Sequence, residues 1–186
     1  MAVKPRPGGR TARTKAAVYK AVAALVIERG HAAVSVTDIA ERAGVASTSL
    51  YRSWGDVRAL IMEVAVDQLS KDHPLPDTGS IAGDLRKWAR SIAATLKSPT
   101  GSAFFAALIA TAMPPGEGSI RTAALQRRLD QVGAMLARAK ARGEKPPSVA
   151  DVMDHLLAPL YARALFGAPA SEAFAARLVE RLLEKV

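Results

Sequence analysis

The chain has 186 residues, 49% of them apolar, which suffices for one large domain or two small ones sharing a core, with no disulfide or structural metal required. It has no cysteine, which removes disulfide frameworks, zinc knuckles and thiol catalysis together and fits a reducing cytoplasm. The formal charge of +9 is concentrated: residues 1–60 carry ten Lys/Arg against four Asp/Glu, and the remainder sixteen against thirteen, a distribution that suggests a polyanion partner, either nucleic acid or an acidic membrane surface. No run of about 18 uncharged apolar residues occurs, so no membrane span is expected. The first ten residues have no apolar stretch behind their charges, so no secretory signal is expected and cytoplasmic residence is the default.

Residues 1–12, with Pro5, Pro7, Gly8, Gly9 and the bases Lys4, Arg6 and Arg10, read as a disordered basic arm. From Thr14 the pattern turns helical: Val18, Val22, Leu25 and Val26 fall on one face, and Gly30 supplies the stop. Ser35 with Asp38 forms a capping-box pattern, Val34 and Ile39 sit where a hydrophobic staple would place them, and Gly44 ends this second helix. A third short helix is predicted over 47–53. Asp56 N-caps a fourth, to about residue 70, with Leu60, Ile61, Val64 and Leu69 on its buried side. After the break at 73–79, helices are predicted at about 80–97, 101–113, 118–142, 148–167 and 170–185, separated by Pro/Gly-rich joints. No stretch alternates apolar and polar residues as a strand would. The expected fold is all-α with about nine helices: a DNA-binding domain over 1–60, containing a three-helix helix-turn-helix and the basic arm, and a helical domain over 61–186.

Residues 35–54 carry the most information. Two short helices meet at Gly44, with Ile39, Ala40, Val45 and Leu50 spaced to pack them on each other, and small Ala40 permits close approach. This is a helix-turn-helix, whose second helix fits a major groove about 12 Å wide. Its outward side offers Ser47, Thr48, Ser49, Tyr51 and Arg52, suitable donors for phosphate oxygens and base edges. Arg52 suits a bidentate contact to guanine and Tyr51 a phosphate.

The run Thr37-Asp38-Ile39-Ala40-Glu41-Arg42-Ala43-Gly44-Val45, followed by Leu50-Tyr51-Arg52, Trp54 and Ala59-Leu60, resembles the TetR family of bacterial regulators over about residues 14–62. Arg142-Gly143-Glu144 and Ala158-Pro159-Leu160-Tyr161 are similar to segments of one of its regulatory-domain subgroups. The resemblance implies a homodimer, two recognition helices in successive major grooves of double-stranded operator DNA, and a small-molecule pocket in the C-terminal half. It places Thr37, Ser47, Thr48, Ser49, Tyr51 and Arg52 on DNA-facing positions. Two positions depart from the family pattern. Ala46 stands where a capping serine is common, so capping is expected to pass to Ser47. Val57 stands where a phosphate-contacting lysine is common, and the neighbouring substitute, Arg58, lies about 100° round the helix. Arg6, Arg10, Arg13 and Lys15 could add phosphate or minor-groove contacts, or form a solvated tail.

In the C-terminal half, the stripes containing Leu156 and Leu160 on one helix and Phe174, Leu178 and Leu182 on the next are wide enough to face both a core and a partner subunit, predicting a four-helix dimer interface. Pro159 should kink its helix. Pocket candidates are Trp88, Phe104, Phe105, Leu108, Met113, Leu125, Arg128, Met135, Met153, Leu157 and Tyr161, which would suit a largely apolar small effector.

His31, His73 and His155 form no local metal motif, and no P-loop, dinucleotide fingerprint or nucleophile elbow is present, so neither metal, cofactor nor enzymatic activity is expected. The carboxylates Asp151 and Asp154 at a helix start favour its dipole. Three readings remain: a ligand-responsive repressor releasing a palindromic operator, a sequence-nonspecific architectural DNA-binding protein, and, more distantly, a module for acidic protein surfaces. The first two share steep salt dependence and differ in preference for an inverted repeat.

Overall fold

The first helix opens at Arg10, four residues ahead of the predicted start, so Arg10 and Arg13 belong to an ordered helix rather than to a basic arm. The computed structural model describes residues 10–71, 75–112 and 119–184, and these contain nine helices and no strand. α1 (Arg10–Arg29) ends at Gly30, whose φ of 76° is open to glycine, and a single 3₁₀ turn (His31–Ala33) leads to α2 (Val36–Ala43). The predicted capping box is present: Ser35 Oγ accepts from the Asp38 amide at 3.1 Å, and the Asp38 carboxylate accepts from the Ser35 amide at 3.1 Å. Gly44 adopts the left-handed conformation, while Val45 N–H reaches Ala40 O at 3.0 Å and Gly44 N–H reaches Glu41 O at 3.2 Å. Those two bonds close the end of α2 as a Schellman motif and turn the chain into α3 (Ser47–Trp54). Ala46, with no capping side chain, occupies the N-cap, so the expected transfer of capping to Ser47 does not occur.

α4 (Val57–Lys71) begins with Asp56 accepting from the Arg58 amide at 3.0 Å. Its Leu60, Ile61, Val64 and Ala65 pack with Val18, Val22, Leu25, Ile39 and Leu50 in a first hydrophobic core. The boundary expected at residue 60 therefore falls inside α4, because both halves of that helix bury side chains in the same core.

α5 (Ile81–Lys97) and α6 (Pro99–Ala112) meet at 89° across Ser98. Ser98 ends one helix and caps the other: its amide donates to Ala94 O at 3.2 Å, and its hydroxyl accepts from the Gly101 amide at 3.0 Å. Pro99 at the first position of α6 forgoes an amide that would have had no helical partner. The corner is tight enough that a Cβ on Gly101 would lie 2.2 Å from Thr95 O.

α7 (Ser119–Ala141) leads through Gly143 to α8, a rod over 149–165 in three joined pieces: an α turn (Val149–Val152), a π segment (Met153–Leu157) and an α segment (Ala158–Leu165). The π segment is the form taken by the predicted Pro159 irregularity. Proline has no amide to return to the preceding turn and its ring crowds that carbonyl, so an extra residue is accommodated just before it, and Ala158 N–H reaches back to Met153 O. α9 (Glu172–Leu183) closes the chain against α5, starting with Ser171 accepting from the Phe174 amide at 3.1 Å.

α5, α7, α8 and α9 surround a second core containing Leu85, Trp88, Ile92, Val132, Met135, Leu156, Leu160, Val179 and Leu182. The segment around Arg142-Gly143-Glu144 fastens the start of α5. Glu144 accepts from the Ile81 amide at 2.8 Å and from Arg142 Nε at 2.8 Å, while the fully buried Asp84 accepts from the Thr78 amide at 2.6 Å and lies 3.5 Å from Arg142. α6 belongs to both cores. Its Phe104 and Ala107 face α1 and α4, and its Phe105 faces the second core. Among the described residues no single helix is long and apolar enough to cross a membrane.

Candidate nucleic-acid interface

On α3 the helical period sorts the side chains by role. Leu50 is buried and Trp54 partly so, one turn apart on the inner side, whereas Thr48, Tyr51 and Arg52 form an exposed outer stripe, with Tyr51 55% exposed. Ser47 and Ser49 flank the stripe and are half-buried, and Thr37 is exposed at the start of α2. Ser49 and Arg52 also line an open cleft with Thr11, Thr14 and Lys15, so the opening turns of α1 lie beside the recognition helix.

Of the basic side chains described in residues 1–60, Lys15, Arg29, Arg42 and Arg58 are engaged in holding the helices together. Arg42 forms a two-pronged ion pair with Glu28 at 2.5 and 2.6 Å, and Arg29 pairs with Asp38 at 3.1 Å, both joining α1 to α2. The hydrogen bond from Arg42 holds the exposed Glu28 carboxyl below its ordinary range. By contrast, Arg13 and Arg52 carry no ion pair among the described residues, and both are exposed.

Two of the predicted phosphate contacts, Lys15 and Arg58, are exposed but bonded to other helices. Lys15 Nζ donates to Glu63 Oε1 at 3.0 Å, fixing α1 to α4. Arg58 donates through Nη2 to Ala110 O at 3.2 Å, near the carboxy end of α6, where a cation complements the helix dipole. Val57, which stands in the usual lysine's place, is partly buried against the first core, while Arg58, about 100° further round the helix, is exposed and reaches the end of α6. Arg10 starts α1, but its side chain lies outside the described residues, as do Arg6 and Met113.

Glu63 on α4 has no counterpart in the sequence reading. Its carboxylate accepts from Lys15 Nζ, from Tyr19 OH at 2.5 Å and from Trp54 Nε1 at 2.8 Å, so one side chain joins α1, the end of α3 and α4. Burial pushes its carboxyl up, but the bonds from Tyr19, Lys15 and Trp54 and the charge of Lys15 outweigh this and leave it below the ordinary value of 4.5. The stability it contributes is therefore complete above that pH and is lost as pH falls through the folded value. Glu63→Gln is expected to lower stability by about 1–3 kcal/mol at pH 7, since three donors lose a charged acceptor. The variant's deficit, measured by urea unfolding, should shrink at acid pH; a deficit constant from pH 7 down to pH 3 would contradict this role. A tryptophan followed nine residues later by a glutamate on the next helix is the trace of this junction in the sequence.

The residues predicted to line a pocket divide between the cores. Phe104 and Leu108 pack in the first, against α1 and α4, and are not available to a ligand in the second. Trp88, Phe105, Met135 and Leu157 are buried in the second core, with Met153 and Tyr161 packed against it. Arg128 lies over Trp88 with Cζ 4.9 Å from the ring centre. The side chain of Leu125 lies outside the described residues.

The predicted dimer residues also need correction. Leu156, Leu160 and Leu182 are 0% exposed within one chain and have no surface left for a partner, and Leu178 keeps only 8%. Wide apolar stripes resulted from α8 and α9 packing on each other and on α5. Phe174 is half-buried, with Arg163 4.8 Å and Arg177 5.8 Å from its ring centre. The outward apolar surface is instead Ala158, Ala162, Leu165 and Phe166 on α8 and its end, with Leu165 54% and Phe166 83% exposed.

A family model described as bacterial regulatory proteins, tetR family, matches residues 15–64, and one described as tetracyclin repressor-like, C-terminal domain, matches residues 75–182. The helix-turn-helix transcriptional regulator AqdR of Rhodococcus erythropolis is 32% identical over 135 residues, which are 73% of this chain and 65% of that protein. YdeS of Bacillus subtilis, another helix-turn-helix regulator, is 35% identical over 99 residues, 53% of this chain and 48% of its own length. The matches thus span less than two thirds of both curated relatives. Among solved structures, the TetR family transcription regulator SCO0332 is 26% identical with a TM-score of 0.77, covering 94% of this chain and 98% of that one. A TetR transcriptional regulator from Rhodococcus sp. RHA1 shares the fold with a TM-score of 0.71 at 20% identity, over 94% and 98% of the two chains.

Proposed function

Because the chain belongs to the TetR family of DNA-binding, non-enzymatic transcriptional regulators, we propose that it is a ligand-responsive repressor that binds a palindromic operator as a homodimer. The observation that carries this reading is the outer stripe of α3: Thr48, Tyr51 and Arg52 project from a helix held on its other side by Leu50 and Trp54. Thr37, Ser47 and Ser49 supply shorter donors at its margins, and Arg13 adds a charge from α1. In the dimer, two such helices enter successive major grooves, about one helical turn apart. The outward stripe Ala158, Ala162, Leu165 and Phe166 supports self-association, because large exposed apolar side chains in register on one helix face are what a partner copy covers.

Release of DNA follows from the position of α6. It carries Phe105 in the second core and Phe104 in the first, and its end accepts from Arg58 at the start of α4. An effector that displaces α6 from the second-core side therefore moves α4, and through Trp54 and Glu63 the recognition helix with it. A change in the spacing of the two recognition helices costs phosphate and base contacts together.

Selection from a random DNA pool at physiological salt is expected to enrich an inverted repeat. Arg52→Ala is expected to weaken binding to that repeat about tenfold to a hundredfold and to relax preference at one base pair of each half-site. Full affinity and specificity in the variant would contradict the assignment of α3. Retention of DNA without any motif would favour a sequence-nonspecific architectural role.

A further inference from the structure

Four helices of the second core bring together a group of aromatic and donor side chains. Trp88 on α5 is 0% exposed, and its indole Nε1 has no acceptor among the described residues. The Arg128 guanidinium from α7 lies over that indole, its Cζ 4.9 Å from the ring centre, with Nη1 donating to Gln131 Oε1 at 3.1 Å. Phe105 from α6 and Tyr161 from α8 place their ring centres 5.4 Å apart with planes inclined by 30°. Burial pushes the Arg128 guanidinium below its ordinary value, with Tyr161 acting in the opposite sense; burial pushes the Tyr161 phenol up, and Arg128 counters it. The two polar groups therefore share one desolvated environment.

The chemistry of this group is one-sided. An indole N–H and a guanidinium can only donate, and a phenol can donate. A buried donor without an acceptor is costly, and Trp88 Nε1 is such a donor, which makes this indole a poor choice for plain core and, beside a cation, a suitable receiver of an acceptor-rich anion. The surrounding surfaces are flat rings, which favour a flat ligand.

We propose that this group recognises the acidic end of the effector, which is a flat aromatic molecule carrying a carboxylate or comparable oxyanion. The oxyanion meets Arg128, one of its oxygens accepts from Trp88 Nε1, and the ring lies beside Phe105 and Tyr161. The proposal rests on the effector-responsive reading and alters its expected chemistry: the ligand is aromatic but charged at one end, rather than largely apolar throughout. Because Phe105 is on α6, the same ligand contacts the helix that joins the two cores.

A matched pair of dyes tests this on the full-length protein: anilinonaphthalene sulfonate and its uncharged parent anilinonaphthalene, titrated by fluorescence. The sulfonate is expected to bind about tenfold tighter than the parent, in keeping with a charge-assisted hydrogen bond. Arg128→Gln should abolish that preference, so that the sulfonate binds no tighter than the parent. Trp88→Phe, which keeps a ring and removes the N–H, should weaken the sulfonate selectively and serves if the arginine variant does not fold. Equal binding of the two dyes, binding of neither, or a preference that persists in both variants would overturn the proposal; the last result would place the anion on the basic surface. Random-pool DNA selection on the same preparations separates this from the broader reading. An enriched inverted repeat without dye discrimination removes only the anion site, whereas no enriched motif with wild-type protein removes the operator assignment, whatever the dyes do.

Discussion

Phe166→Glu is expected to convert the proposed dimer to monomers and to weaken operator binding by about a thousandfold. Phe166 is 83% exposed and continues the outward line of Ala158, Ala162 and Leu165. In a two-fold interface each substitution occurs twice, so two carboxylates would be carried into one apolar contact without partners. Burial of an unpaired charge costs several kcal/mol, which alone shifts a dimer equilibrium by two or three powers of ten. A monomer that engages one half-site also loses the benefit of linked binding to the second. Its salt dependence should fall with it: the slope of log affinity against log salt follows the number of phosphates neutralised, and a single half-site presents about half of them. Sedimentation analysis and operator titration at several salt concentrations check both parts. A variant that remains dimeric at micromolar concentration would place the interface elsewhere. Leu156→Ala, by comparison, should act on stability of the single chain, since that side chain is fully buried inside it.

Gly101→Ala is expected to destabilise the protein by about 3 kcal/mol, at the upper end of what overpacking costs. The added methyl would stand 2.2 Å from Thr95 O and 2.3 Å from Thr95 Cγ2. The first of these is backbone at the end of α5, so relief requires opening the 89° corner between α5 and α6. Opening it displaces Phe104 and Phe105 from the two cores at once. For a chain of this size the melting temperature should drop by roughly 6–12 °C. Gly133→Ala is the contrasting case: it lies within α7, and the nearest atom to a new methyl is Val149 Cγ2 at 3.9 Å, an ordinary contact. There, alanine should stabilise by about 0.4–1 kcal/mol through the unfolded chain. Denaturant unfolding of the two variants beside the parent decides the matter, and equal effects of the same sign would exclude this account of the corner.

The sequence by itself determined the local structure and the family. Ser35, Asp38 and Gly44 act within a few residues of chain, so the cap, the turn and the helix-turn-helix could be read without knowing what surrounds them. The sides of α3 were legible in part: helical period turns Leu50 inward and Thr48, Tyr51 and Arg52 outward, whereas Ser47 and Ser49, also expected outward, are half-buried. What only the tertiary structure decided is where side chains go when several partners compete for them. Lys15 and Arg58 were suitable phosphate contacts by charge and position, yet Glu63 and the carbonyl of Ala110 engage them, brought there by α4 and α6 from 48 and 52 residues away in the chain. Leu156, Leu160 and Leu182 show the same limit: hydrophobicity specifies that a face is covered, not whether its own chain or a second copy covers it. Phe104 and Phe105 are adjacent in sequence and alike in chemistry, and the one-residue rotation of about 100° between them assigns one to each core. That assignment depends on how α6 is set by the Ser98–Gly101 corner, a packing constraint between helices that no local pattern encodes.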